Sequence, residues 1–298
     1  MSQDIYSFPW PALPGSQETP RWLGDGFEYR GKRCKVLCYA ENESNWSDEL
    51  TELHELEAGG DHPMDIASRA LAISSIERYC EGPSPLLLEV GSSSGYLLEE
   101  IRSLFPEARV IGSDYIAGPL EKLASRVPSI PLLQFDLRTC PLPSNTFDGV
   151  ILLNVLEHID DDVAAIRQIA RILKPRGIAH IEVPSNPDCY DIYDEHLLHH
   201  RRYRAADLVR TLRQEGFEIL KATHLGVFLY PVFWLVKKRN RRLLKLPKER
   251  KEQIVAGQIR RTRQSRLLSL CMRMELFIGG KISYPCGIRC ILVVRKKA

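Results

Sequence analysis

The sequence predicts a doubly wound α/β domain, and three observations carry that expectation. From Leu86 onward, short apolar runs alternate with stretches of helical periodicity. The first run, Leu86 to Val90, breaks at a glycine-containing turn that leads straight into a helical pattern. Each later run is separated from its predecessor by enough residues for a crossover, which parallel strands require, so a parallel sheet should carry helices on both faces.

Residues 1–80 read as an N-terminal arm and cap. Met1 to Gly15, rich in proline and aromatics, suits an arm, Gly26 to Tyr39 a β-ribbon, and Pro63 to Tyr79 a helix. Residues 81–226 hold the core, with strands at Leu86 to Val90, Arg109 to Asp114, Pro131 to Asp136, Phe147 to Leu153 and Ile178 to Val183, and helices at Tyr96 to Leu104 and Leu120 to Val127. A further helix keeps Val163, Ile166, Ile169, Ala170 and Leu173 at helical spacing behind Asp160, a residue type suited to cap it. Lys174-Pro175-Arg176-Gly177 should stop that helix, because proline cannot continue it and glycine permits a left-handed turn. Ala205 to Glu215 then reads as a helix closed by Gly216, and Phe217 to Thr223 as a sixth strand. The next good strand, Cys290 to Val294, lies in a final segment 289–298, which leaves 227–288 as an insertion: apolar, then basic, then helical and arginine-rich.

With 298 residues, 44% apolar and 27% charged, the chain can bury a sizeable core, which excludes intrinsic disorder, collagen and a disulfide mini-scaffold. The net charge of +3 averages two unlike regions: residues 1–236 carry 22 basic and 35 acidic side chains, residues 237–298 carry 19 and 3. Eight cysteines without a secretory context read as reduced thiols, and the C-x3-C pairs Cys34/Cys38 and Cys286/Cys290 lack the further ligands of a zinc tetrahedron, so no metal site is expected. The N-terminus has neither the basic start nor the apolar stretch of an export signal. The longest apolar run, Leu225 to Val236, contains Pro231 and falls short of the ~20 residues of a membrane span, so a cytoplasmic protein is expected.

Chemistry enters at LLLEVGSSSGYLL, Leu86 to Leu98. Gly91 and Gly95 let the backbone approach a ligand, and a helix starting near Gly95 directs free amides toward it. The second strand ends in Asp114, an acid where nucleotide folds grip ribose hydroxyls. The turn is G-x-x-x-G, whereas dinucleotide sites of dehydrogenases use G-x-G-x-x-G to admit a pyrophosphate. The third strand closes on Asp136-Leu137, and the fourth leads through Asn145-Thr146-Phe147-Asp148-Gly149 into Asn154-Val155-Leu156-Glu157-His158-Ile159.

With these segments in this order, and Arg171-Ile172-Leu173-Lys174-Pro175 after them, the chain resembles the class I S-adenosylmethionine-dependent methyltransferases from about Leu86 to Gly226, in particular the small-molecule branch with an LEHI segment. The resemblance implies a Rossmann-like sheet of seven strands, with S-adenosyl-L-methionine as cofactor. It implies that Glu89, Gly91, Ser93 and Gly95 form the cofactor loop, that Asp114 accepts from the ribose hydroxyls, that Asp136 and Leu137 meet the adenine, and that Asn154 lines the pocket under the methionine. Two positions depart from the family pattern: Ser93 replaces the middle glycine of the turn and Arg176 the first of a usual glycine pair.

His158 follows the fourth strand at the carboxyl edge, where open α/β sheets bind ligands, and an imidazole there could remove a proton from an acceptor or merely pack in its loop. The loop after the fifth strand, Tyr190 to Tyr203, resembles the acceptor-covering segment of the same branch, which makes His196 and His200 catalytic candidates and Tyr193 and Tyr203 substrate candidates. In the alternative, Arg201 and Arg202 pair with acids of that loop and Tyr203 anchors the next helix. His196 and His200 have i, i+4 spacing without a clear third metal ligand. Ser47 and Asp61 read equally well as helix caps.

The apolar run before Lys237-Lys238-Arg239 and Arg241-Arg242 has three readings: a pocket wall beside a solvated or internally paired basic face, peripheral membrane contact through 225–251, or RNA binding. No recognisable RNA module accompanies the charge, so nucleic acid is not the expected partner. The expected reaction is methyl transfer to an oxygen of a small-molecule, sugar or lipid-linked acceptor. The alternatives are a non-catalytic methyltransferase-like binding protein and an RNA methyltransferase.

Overall fold

The computed structural model describes residues 6–40, 60, 62–263 and 265–298; Ser47 and Asp61 lie outside them. The chain begins with β1 (Arg21–Trp22), β2 (Phe27–Tyr29) and β3 (Lys32–Cys34), which form a small antiparallel sheet, followed by β4 (Val36–Cys38). Helix α1 (Pro63–Tyr79) starts at His62, whose ring accepts from the Met64 amide. The core follows as β5 (Leu86–Val90), α2 (Tyr96–Leu104), β6 (Arg109–Asp114), α3 (Ala117–Arg126), β7 (Leu132–Gln134), β8 (Phe147–Leu153), α4 (Asp162–Ile172) and β9 (Leu173–Pro184). A short helix α5 (Ile192–His196) and α6 (Ala205–Gln214) lead to β10 (Phe217–Leu225). The insertion supplies α7 (Tyr230–Arg241), α8 (Lys248–Arg263) and α9 (Arg266–Gly279) before β11 (Arg289–Lys296).

The main sheet runs β10-β11-β9-β8-β5-β6-β7-β4. Among the described residues it has eight strands rather than seven, because Val36, Leu37 and Cys38 leave the N-terminal ribbon and pair in parallel with Leu132, Leu133 and Gln134 at its edge. Nor is it wholly parallel: β11 runs antiparallel to both β9 and β10. The insertion returns the chain to the strand end from which it left, where Leu225 pairs with Arg289, so the last strand runs opposite to its neighbours.

Alternation along the strands divides the core into two layers. Leu86, Leu88 and Val90 pack with Ile166 and Ile169 of α4 and with Leu208 and Leu212 of α6. Leu87 faces Ile76 of α1, Leu98 and Ile101 of α2 and Leu120 of α3. The arm fills the remainder of the first layer, where Tyr6, Phe8, Trp10, Trp22 and Phe27 form a buried aromatic cluster against Phe147. Helix α9 covers α1 through Leu268 and Met272.

Three local details differ from expectation. Asp161, not Asp160, caps α4, its carboxylate accepting from the Ala164 amide, while Asp160 pairs with Arg138. After α4 the left-handed residue is Arg176 (φ 67°), not Gly177. Gly177 is small for a different reason, since a Cβ there would lie 3.0 Å from the carbonyl oxygens of Lys174 and Phe147. The third is Lys237, the first residue of the basic run, which turns inward: its ammonium lies 2.6 Å from Asp191, within the acidic body.

Candidate active site

The carboxyl ends of β5, β6, β8 and β9, with the loops that follow them, surround a cavity of about 1310 Å³. Parallel strands that end on one edge with helices starting above them leave such a crevice. At its floor the chain from Val90 to Gly95 turns sharply, with positive φ at Gly91 (79°), Ser93 (42°) and Gly95 (72°). A Cβ on Gly91 would lie 2.6 Å from the Val155 side chain and one on Gly95 2.3 Å from Leu123, so both positions are closed to larger residues. Ser93 takes its left-handed geometry at a cost of roughly 1–2 kcal/mol. Its amide donates to Asp114 Oδ2 at 3.0 Å, which offsets part of that strain. Gly91 and Ser92 both donate to the Ser113 carbonyl, at 2.8 and 2.9 Å, and pin the turn to β6.

Glu89 is buried beneath the turn, and burial pushes its carboxyl up to about 8. Asp114 ends β6 at the cavity wall with Oδ1 also accepting from the Ile116 amide at 3.2 Å. Asp136 and Leu137 line the cavity beyond it. Asp136 is gripped by Arg138, at 2.7 Å between Nη2 and Oδ2, an arginine the motif pattern did not single out. Asn154 follows β8 in a left-handed conformation (φ 54°), its backbone amide held by the Glu182 carbonyl and its side-chain amide donating to Glu182 Oε1 at 3.0 Å. Glu182 is wholly buried and accepts also from Ser68 and Arg289, and Arg289 reaches on to Asp65 of α1. One buried carboxylate thus orients Asn154 and fastens the N-terminal helix over the crevice.

At the opposite end the cavity is lined by Glu157, His158, Tyr193, His199 and His200. Glu157 is fully buried, burial raises its carboxyl to about 8, and neither carboxylate oxygen has a hydrogen-bond partner among the described residues. The His158 and His199 rings meet edge to face at 4.8 Å. His199 Nδ1 lies 2.8 Å from Asp194 Oδ1, and Arg202 Nε lies 2.8 Å from the same oxygen. Burial alone would raise Asp194, but the His199 hydrogen bond and the charges of Arg202 and Lys237 hold it far below the usual carboxylate range. Burial lowers His199, against the pull of Asp194. Burial also pushes the Tyr193 phenol up to about 12, and the Lys237 ammonium sits 4.8 Å from its ring centre.

Two candidates fall outside this lining. Tyr203 is buried and its one hydroxyl proton is shared between the Leu156 carbonyl at 3.0 Å and Asp162 at 2.8 Å, which ties the end of the loop to α4. His196 ends α5 away from the cavity wall. His199, which the sequence reading passed over, occupies the place given to it: Leu198 adopts φ 53°, breaking the i, i+4 relation of His196 and His200.

Comparison with known proteins accords with this geometry. Residues 88–181 match the family model described as a methyltransferase domain. A protein of Mycolicibacterium smegmatis described as a probable S-adenosylmethionine-dependent methyltransferase is 31% identical over 144 residues, 48% of this chain and 54% of that protein. A demethylmenaquinone methyltransferase of Corynebacterium kroppenstedtii is 29% identical over 119 residues, 39% of this chain and 50% of that protein. The chain spans about half the length of the curated relatives it matches. Among solved structures, Haemonchus contortus phosphoethanolamine N-methyltransferase 2 in complex with S-adenosyl-L-methionine superposes with a TM-score of 0.56 at 16% identity, over 86% of this chain and 59% of that one. The cyclase SpnF does so with a TM-score of 0.56 at 20% identity, over 84% and 93%. Residues 88–181 are thus similar to a methyltransferase domain, and the chain has the fold of solved methyltransferases. The residues fit the cofactor of these relatives, S-adenosyl-L-methionine, with amides at the start of α2 and two acids on the crevice wall.

Proposed function

We propose that the protein transfers a methyl group to an oxygen of an apolar or lipid-linked acceptor that enters from a membrane surface. The observation behind this reading is the continuity of the cavity, which runs from the Gly91–Gly95 turn, past Asn154, to the histidines and on to apolar residues of α7 and α9. Glu89, Gly91, Ser93, Gly95, Asp114, Asp136 and Leu137 would hold the cofactor, which when bound supplies an electrophilic methyl on a sulfonium. Asn154, fixed by Glu182, orients the groups beside it. A displacement of this kind demands close approach and alignment above all, and the histidine end of the cavity supplies a place for the acceptor. Of the three histidine candidates, His158 and His200 line that end. His200 is exposed at its rim and is placed to take the acceptor's proton and pass it to water. His200→Ala should lower turnover and leave the affinity for S-adenosylhomocysteine unchanged; unchanged turnover would remove the residue from the mechanism.

The acceptor class is supported by the insertion. Leu267 (67% exposed), Leu270 (55%), Met274 (48%) and Phe277 (78%) recur at helical spacing along the outer face of α9. Val232 and Leu235 of α7 are also exposed, and Val232 and Leu267 line the cavity as well. An apolar face beside the exposed cations Lys238, Arg239, Arg241 and Arg242 complements an anionic bilayer. No helix among the described residues is long and apolar enough to cross a membrane. The protein should sediment with vesicles of phosphatidylcholine and phosphatidylglycerol at low salt, and Leu270→Glu with Phe277→Glu, or added salt, should release it. Failure of the intact protein to bind these vesicles would overturn the membrane reading and leave methyl transfer standing.

A further inference from the structure

We infer that Glu157, His158 and His199 form a binding site for a divalent first-row transition metal ion, open toward the acceptor end of the cavity. The three side chains each offer one ligand atom, and these atoms lie within 4.8 Å of one another. Metal–ligand bonds of about 2.0–2.2 Å place donors roughly 3–3.5 Å apart, a gap that small rotations of the two rings close. Two imidazoles and a carboxylate are the donor set of several catalytic metal sites, and they leave coordination positions for water or a substrate oxygen.

The surroundings favour an ion over a bare cluster. Glu157 is deeply buried with no hydrogen-bond partner for either oxygen among the described residues, so it stays neutral unless a cation meets it, and a metal ion would displace its proton and hold the carboxylate. The nearby cations are turned elsewhere: Arg202 is committed to Asp194, and Arg289 to Asp65 and Glu182. His199 is prepared as a ligand, because its Nδ1 meets Asp194 at 2.8 Å, which assigns the proton to that nitrogen and leaves the lone pair on Nε2. Asp194 is in turn held as a carboxylate by Arg202 and Lys237. Since Glu157, His158 and His199 all line the cavity, an ion here would bind an acceptor oxygen directly. His200 is not one of the three and remains available to carry the proton. The role toward the acceptor rests on the methyl-transfer reading, whereas binding of the ion does not.

The test is therefore a binding measurement. Protein stripped with a chelator is titrated with Mn²⁺, Co²⁺ or Zn²⁺ by calorimetry, and the Co²⁺ form is followed by its visible spectrum. One ion per chain should bind, with ligand-field bands of a nitrogen and oxygen environment. His158→Ala should weaken binding at least 100-fold, and Glu157→Gln, which keeps the buried shape, should do the same, with circular dichroism confirming the fold of each. His196→Ala and His200→Ala should leave the affinity unchanged. Absence of saturable binding at millimolar ion, or binding lost with His196 or His200 and kept in the Glu157 and His158 variants, would overturn the site. A methyltransferase without the ion would refute this inference alone; a bound ion without methyl transfer would refute the reaction alone.

Discussion

Replacing Lys237 with methionine should destabilise the protein by about 3–5 kcal/mol, the usual cost of removing one partner from a buried ion pair. Lys237, Asp191 and Asp194 are all buried, and the ammonium reaches Asp191 at 2.6 Å and Asp194 at 3.5 Å. Asp194 would keep Arg202 and His199, but the Asp191 side chain would keep only the backbone amides of Tyr193, at 3.0 Å, and Asp194. Asp191 Oδ2 has no hydrogen-bond partner among the described residues, so nothing compensates. Methionine keeps a side chain of similar length and removes only the ammonium that faces the Tyr193 and Phe233 rings, so the loss would be electrostatic. At roughly 2–4 °C per kcal/mol for a domain of this size, the thermal midpoint should fall by about 6–20 °C. Scanning calorimetry measures it directly, and added salt should not change the difference, because a buried pair is little screened. Adding Asp191→Asn removes the orphaned charge and should recover most of the loss. A midpoint within about 2 °C of the parent, or a double variant no better than the single one, would refute the reasoning.

Two further outcomes follow from the same contacts. Asp114→Ala removes a carboxylate that already orders the Ser93 and Ile116 amides, so calorimetry should show S-adenosylhomocysteine affinity reduced at least about 100-fold, the worth of two hydrogen bonds to a charged group at ~1.5 kcal/mol each; unchanged affinity would remove Asp114 from the cofactor site. His180 is buried neutral with its pKa pulled down to about 3, so the unfolded chain binds a proton that the folded one refuses, and stability present above pH 6.5 is lost as pH falls toward 3. Between pH 6.5 and 5 the parent should lose about 1.6 kcal/mol relative to His180→Gln, the slope approaching ~1.4 kcal/mol per pH unit once the unfolded imidazole is protonated, as read from urea unfolding; parallel pH profiles would contradict this.

The elements carrying strong local periodicity were legible in the sequence: the strand and turn at Leu86–Gly95, the acid ending β6, and α1 and α2 to the residue. The misses are decided by partners far along the chain. Three residues, Val36–Cys38, become an eighth strand only because the β7 edge, about 96 residues later, offers them hydrogen bonds. The basic run looks like a solvated face, and Lys237 departs from it because Asp191 and Asp194, more than 40 residues earlier, are buried beneath it. Lys251 likewise meets Glu195 at 2.6 Å, so part of the charge asymmetry is spent within the molecule. Spacing favoured His196 with His200, yet α5 stops at His196 and the turn at Leu198 presents His199 instead. Ser93 and Arg176, the two departures from the family glycines, both stand at positive φ, which explains why glycine is usual there.

The most direct test of the central claim is transfer of label from methyl-labelled S-adenosylmethionine into an extract, with lipid, sugar and RNA fractions separated afterwards. The proposed function predicts enzyme-dependent label in the lipid fraction, abolished by Asp114→Ala. Label in the RNA or sugar fraction would contradict the proposed acceptor class, and no enzyme-dependent label in any fraction would contradict methyl transfer itself.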